Sequence, residues 1–177
     1  MRTQRTHPFD VALGLRLLRS AGTISQLAEE LAVAPSQVHA ALVRLRAAGL
    51  VRPDGRSANA RALGEFVLLG VRYAFPASRG ALASGVPTAY SAPALAAFVD
   101  ARDVVVWPRA GIEGGIRGFS LTPLYARATR LPETSPETYR LLTLVDALRI
   151  GDPRTRNAAR ELLEVAFGWR AAAEPSA

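Results

Sequence analysis

Ser36, Gln37, His39, Ala40, Val43 and Arg44 share one side of a helical repeat whose other side is Val38, Ala41 or Leu42, and Leu45. Their chemistry is hydrogen bonding and charge rather than bond breaking. A glutamine amide can pair bidentately with an adenine edge, a guanidinium with guanine or a phosphate, and a small alanine permits close approach or meets a thymine methyl. Ser36 and the amides at a helix start can hold a phosphate. Arg52 and Arg56 flank the turn Pro53-Asp54-Gly55 a few residues further on. Each side chain alone also suits a solvated face, and His39 reads more readily as an ordinary polar group in water than as a metal ligand or proton switch.

Other chemistries find little support. Cysteine is absent, which removes disulfides, thiol nucleophiles and cysteine-ligated metal sites, and with His7 and His39 as the two histidines a His-rich metal site is not expected. Asp100, Asp103 and Glu113 have no evident partner histidine, serine or lysine, so no catalytic residue is assigned. The run Gly111 to Gly118 invites comparison with a phosphate-cradling loop, but no helix with Lys and Ser or Thr follows; a hairpin turn is the better reading. The expectation is a protein that is not an enzyme and carries no metal and no cofactor.

All 22 basic residues are arginine, against 15 acids. A GC-rich coding bias accounts for the missing lysine; the placing of the arginines is more informative. Residues 1 to 72 hold ten arginines and five acids, or +5, and residues 73 to 177 hold twelve and ten, or +2. A basic surface attracts phosphate because neutralising it releases counterions from nucleic acid. With 49% hydrophobic and 21% charged residues, the 177-residue chain has the usage of a globular protein with a real core. Its apolar runs, such as Phe66 to Val71, fall far short of the roughly 20 residues that span a bilayer. No signal core precedes a cleavage site near the N-terminus. The expected address is cytoplasmic, with no membrane association.

The elements that must position these residues emerge from periodicity. Phe9 to Leu18 reads as a largely buried helix. Thr23-Ile24-Ser25-Gln26 is a capping box opening a second helix, Ile24 to Leu31, with Ile24, Leu27, Ala28 and Leu31 on its core face. A short turn leads to Pro35, favoured in a first helical turn, and Gly49 closes the third helix. Leu50 to Arg52, with Pro53-Asp54-Gly55 turning after it, is the first strand of a small hairpin whose return strand is poorly marked. Asn59 caps a fourth helix, Ala60 to Tyr73, with Leu63, Phe66, Val67, Leu69 and Gly70 inward.

Composition then shifts: residues 73 to 136 hold seven prolines and six glycines, against three prolines in the first 72. Here Val104 to Trp107 and Ile116 to Leu121 read as a β-hairpin turning through Gly111 to Gly115. Tyr73, Phe75, Tyr90, Trp107, Phe119 and Tyr125 read as anchors of a small irregular core, with a ligand or partner surface as the alternative. Ser135-Pro136 and Asp152-Pro153 each open a C-terminal helix, and Arg170 to Ala177 reads as a frayed end. The fold class expected is mainly α, with a first domain over 1–72 and a loop-rich plus helical domain over 73–177.

The order helix, capped short helix, tight turn, proline-started helix, Gly-Leu-Val and hairpin turn, over about residues 9 to 58, resembles the DNA-binding core of bacterial MarR-like winged helix-turn-helix regulators. The segments that carry the likeness run from Gly22 to Leu31, from Pro35 to Leu45 and from Ala48 to Val51. The resemblance implies that the third helix enters the major groove and that a wing tip reaches the minor groove or the backbone. It implies DNA contacts from Ser25, Ser36, Gln37, His39, Ala40, Arg44, Arg46, Arg52 and Arg56. It further implies a transcription regulator, a repressor, bound as a homodimer to double-stranded DNA. The layout also resembles antitoxins and accessory proteins that hold a protein partner through their C-terminal section, here residues 73 to 177.

Overall fold

The computed structural model describes residues 5–98, 103–111 and 115–171, and in them the chain is mainly α-helical. Helix α1 (Pro8–Leu17) is opened by its own neighbours. The His7 Nδ1 accepts from the Phe9 amide at 3.2 Å, and the Asp10 carboxylate accepts from the His7 amide at 2.8 Å. Every residue of α1 from Phe9 to Leu17 is buried, because the helices Pro35–Ala47 and Pro136–Ile150 both pack against it. Each leucine so enclosed contributes about 1.5–3 kcal/mol relative to exposure.

Helix α2 (Ile24–Glu30) starts on the expected capping box: Thr23 Oγ1 accepts from the Gln26 amide at 3.2 Å while Gln26 Oε1 accepts from the Thr23 amide at 2.9 Å. Leu27 and Ala28 are buried, whereas Ile24 is 37% exposed. Helix α3 (Pro35–Ala47) buries Val38, Ala41, Leu42 and Leu45. The expected small hairpin is minimal: Val51 bridges Ala58, the Arg52 amide donates to Ser57 O at 2.9 Å, and the Asn59 amide donates to Leu50 O at 3.0 Å. Asn59 Oδ1 then accepts from the Ala62 amide at 3.3 Å and caps α4 (Ala60–Glu65).

The single helix expected over Ala60 to Tyr73 is interrupted. A π-helical turn, Phe66–Gly70, joins α4 to α5 (Val71–Ala74). The Val71 amide reaches back five residues to Phe66 O, which widens the turn and rotates the residues beyond it about the helix axis. The buried side chains are Leu63, Val67, Leu68 and Val71, and Leu69, expected inward, stands 61% exposed.

The expected hairpin of Val104–Trp107 with Ile116–Leu121 is not formed. Strands β2 (Val105–Pro108) and β3 (Ile116–Ser120) run parallel, pairing Val105 with Phe119 and Val106 with Ser120. Their common antiparallel partner is β1 (Leu82–Pro87), whose first half pairs with β3 and whose second half pairs with β2. Three strands thus close on themselves. Closure this tight needs two positions without side chains. A Cβ on Gly85 would strike Trp107 O, and one on Gly118 would lie 2.6 Å from Val104 O. Ile112 to Gly114, inside the expected turn, lie outside the described residues, as do Asp100 and residues 172–177.

Helix α6 (Leu131–Thr134) leads into α7 (Pro136–Ile150) and α8 (Pro153–Ala166). Asp152 caps α8 as expected, accepting from the Thr155 amide at 2.7 Å. Ser135 does not cap α7; its hydroxyl pairs instead with Thr138 Oγ1 at 2.8 Å. Arg170, expected to be frayed, lies 3.5 Å from Glu161 and 3.6 Å from Glu164. One buried apolar cluster runs from Phe9 to Phe167, so the sections 1–72 and 73–177 share a core. Two side-chain hydrogen bonds stitch them: Thr134 Oγ1 donates to Glu30 O at 2.7 Å, and Arg160 Nη2 donates to Leu68 O at 3.3 Å.

Candidate nucleic-acid interface

With Val38, Ala41, Leu42 and Leu45 turned into the core, the geometry of a helix leaves α3 a continuous outer face. Ser36, Gln37, His39, Ala40 and Val43 are all exposed on it. Gln37 is partly committed, since its Oε1 accepts from the Ala34 amide at 3.2 Å and closes the first turn of α3. Its side-chain amide nitrogen stays available as a donor. Ser25 is exposed on α2, and Arg46, Arg52 and Arg56 are exposed on α3 and the turn after it.

Arg44 is placed differently from the other sequence-assigned residues. Its Nε and Nη2 donate to both oxygens of Asp10, at 2.9 and 2.6 Å, and its side chain is 21% exposed against 2% for Asp10. A bidentate guanidinium on an enclosed carboxylate is a strong, directional tie. Arg44 therefore fastens α3 to α1 and is a poor candidate for reading a base. The partner, Asp10, sits in the first turn of α1, and nothing local revealed that its carboxylate meets a residue 34 positions on.

A second tie of the same kind holds α1 to α2. Arg16 Nη2 donates to Glu30 Oε1 at 2.8 Å, its Nε pairs with the other oxygen, and Nη1 donates to Ser20 O at 3.0 Å. The guanidinium beside it holds the Glu30 carboxyl below its ordinary range. Neither arginine adds free charge to the outer face.

The turn after α3 is shaped by its own residues. Gly55 takes φ +64°, a conformation that side chains disfavour. Asp54 accepts from the Arg56 amide at 2.9 Å, and that hydrogen bond lowers the Asp54 carboxyl from its usual value. The Arg46 guanidinium lies against Gly55 so closely that a Cβ there would collide with it. Arg46 and Arg56 both line an open groove of about 540 Å³ between the start of α2, α3 and this turn, with Asp54 as its one acid. Two guanidiniums against one carboxylate leave the groove cationic, which suits an anionic backbone.

Sequence reasoning missed a buried network in the other half. Asp146 is 0% exposed. It accepts from Thr88 Oγ1 at 2.8 Å, Trp107 Nε1 at 2.6 Å and Arg149 Nη1 at 2.6 Å. Burial pushes its carboxyl up, against the pull of Arg149 and the two neutral donors. Among the described residues no cluster of His, Asp and Glu could hold a metal ion, and no helix is long and apolar enough to cross a membrane. No protein-family model, curated protein or solved structure matches this chain.

Proposed function

We propose that this protein is a sequence-specific, double-stranded-DNA-binding transcription regulator whose residues 1–72 act as a winged helix-turn-helix. The observation that carries the reading is the outer face of α3. Ser36, Gln37, His39 and Ala40 are exposed opposite a fully buried apolar stripe, and the turn beyond α3 carries the exposed Arg52 and Arg56. A helix anchored on one side, with hydrogen-bonding groups on the other and cations at its flank, is the arrangement that reads base edges while gripping phosphates. Arg46, seated against Gly55, sets the wing and contributes charge to the groove beside it.

The regulator acts as a dimeric repressor, with half-sites about 10 base pairs apart. Helix α1 is spent inside the chain. Leu69 and Tyr73, four residues apart and 61% and 73% exposed, are the apolar side chains that a second copy would cover.

Fluorescence anisotropy tests the reading, using DNA from upstream of the gene against a shuffled duplex over a salt series. Tight binding to the native duplex alone, lost in His39→Ala with Gln37→Ala, is the expected result. Equal weak binding to both duplexes overturns it. Association with a protein partner through residues 73–177 would then become the better account.

A further inference from the structure

A cleft of about 550 Å³ opens where the first turn of α1, the segment after α5, the segment after β3 and the end of α7 meet. None of the residues placed on the DNA-facing side lines it. One charged side chain does: Arg149, which is 5% exposed. Its Nε is spent on Phe75 O at 2.8 Å and its Nη1 on Asp146 Oδ1 at 2.6 Å. Its Nη2 has no hydrogen-bond partner among the described residues.

Asp146 does more here than neutralise a charge. Its other oxygen is occupied by Thr88 and Trp107, so the carboxylate cannot turn, and Arg149 cannot swing away without stranding it in the core. The guanidinium is thereby held in one orientation before any ligand arrives. Preorganised donors of this kind lose little entropy on binding. The remaining lining includes the apolar Phe75, Pro76, Pro123 and Leu124 and the hydroxyl-bearing Ser78 and Thr122. No acid lines the cleft among the described residues.

We infer that this cleft binds a small organic anion, a carboxylate carrying an apolar body, with its oxygens on Arg149 and its body against Phe75 and the prolines. The volume accommodates such a molecule. A bare inorganic anion would satisfy the guanidinium but leave the proline and aromatic wall wet, so the apolar body is part of the specificity. The site is independent of DNA binding and stands or falls without it.

Calorimetric titration and thermal unfolding of the full chain test this, with hexanoate and cyclohexanecarboxylate as probes, their primary amides as uncharged counterparts, and inorganic phosphate as the bare anion. The expected result is saturable heat and a concentration-dependent rise in Tm with both carboxylates. The amides and phosphate should bind at least about tenfold more weakly, since each lacks one half of the recognition. Arg149→Ala strands Asp146 and is expected to fold poorly, so the blocking variant is Ser78→Trp, at an exposed position on the cleft wall. It should leave the ligand-free Tm unchanged and abolish the response. The inference is overturned by the absence of saturable binding of either carboxylate, by amide or phosphate binding of equal strength, or by a response that survives Ser78→Trp.

Discussion

The two halves of this molecule are held together by different means. Residues 5–72 are assembled from near neighbours: capping boxes at His7 and Thr23, a proline-started α3, an Asn59 cap, and two arginine–carboxylate ties that lock the finished helices. Residues 73–171 are assembled from afar. Thr88 and Trp107 reach Asp146 across 58 and 39 positions, and β1 pairs with two strands that come much later in the chain. The first half can leave a polar face outward because its stability lies in apolar stripes behind that face. The second half places its charge inside, where a single carboxylate on α7 holds β2 and the segment after β1 to that helix. Where local signals dominate, side chains are free to serve a partner; where long-range contacts dominate, the polar groups serve the fold.

The largest expected effect is in the second half. Asp146→Ala leaves Arg149 without its charge partner and two neutral donors without an acceptor. The loss should be about 3–5 kcal/mol, measured by urea unfolding. Asp146→Asn, which keeps an acceptor oxygen, should lose less. Equal stability of Asp146→Ala and the parent would dissolve the contrast between the halves.

Gly85→Ala is expected to cost about 1–3 kcal/mol, because the new methyl group meets the Trp107 carbonyl where the strands close. Thermal unfolding would show it as a lowered Tm. A neutral result would mean that the three strands open without consequence.

A pair of substitutions sharpens the comparison inside the first half. Arg44→Ala should destabilise by about 1–3 kcal/mol, since it leaves the enclosed Asp10 with the His7 amide as its remaining donor. Arg52→Ala and Arg56→Ala should leave Tm unchanged, while each weakens DNA binding and lowers the salt slope by about one per lost phosphate contact. If Arg44→Ala lowered DNA affinity at full stability, Arg44 would be a reader and not a tie.

The smallest effect is in acid. Glu30, lowered by Arg16, contributes stability that is present above its ordinary value of 4.5 and is lost as pH falls through its depressed folded value. Asp146, raised by burial, works in the opposite sense: it gains protons in the folded state first, so its contribution grows as pH falls toward 3.8. Glu30→Gln should flatten the loss of stability below pH 4.5, and Asp146→Asn should steepen it. Urea midpoints between about pH 3 and 6, a range spanning the ordinary carboxylate values, check both signs.

Residue types and spacing determined a great deal. The first three helices, the start of the fourth, the caps at Thr23, Asn59 and Asp152, the buried stripe of α3 and the exposure of Ser36, Gln37, His39 and Ala40 were all legible, because helix period and capping chemistry act within about four residues. Tertiary structure alone decided the rest. Leu82-Ala83-Ser84-Gly85-Val86-Pro87 shows no strand alternation, and becomes β1 because two later strands need a partner and its glycine permits their approach. A π turn over Phe66–Gly70, unmarked by any local rule, interrupted the fourth helix, and Leu69 within it stands exposed. Arg44 left the outer face for Asp10, and Asp146 gathered Thr88, Trp107 and Arg149. An ion pair or a buried carboxylate is settled by which side chains the packed core brings within about 3 Å, and sequence distance carries no record of that.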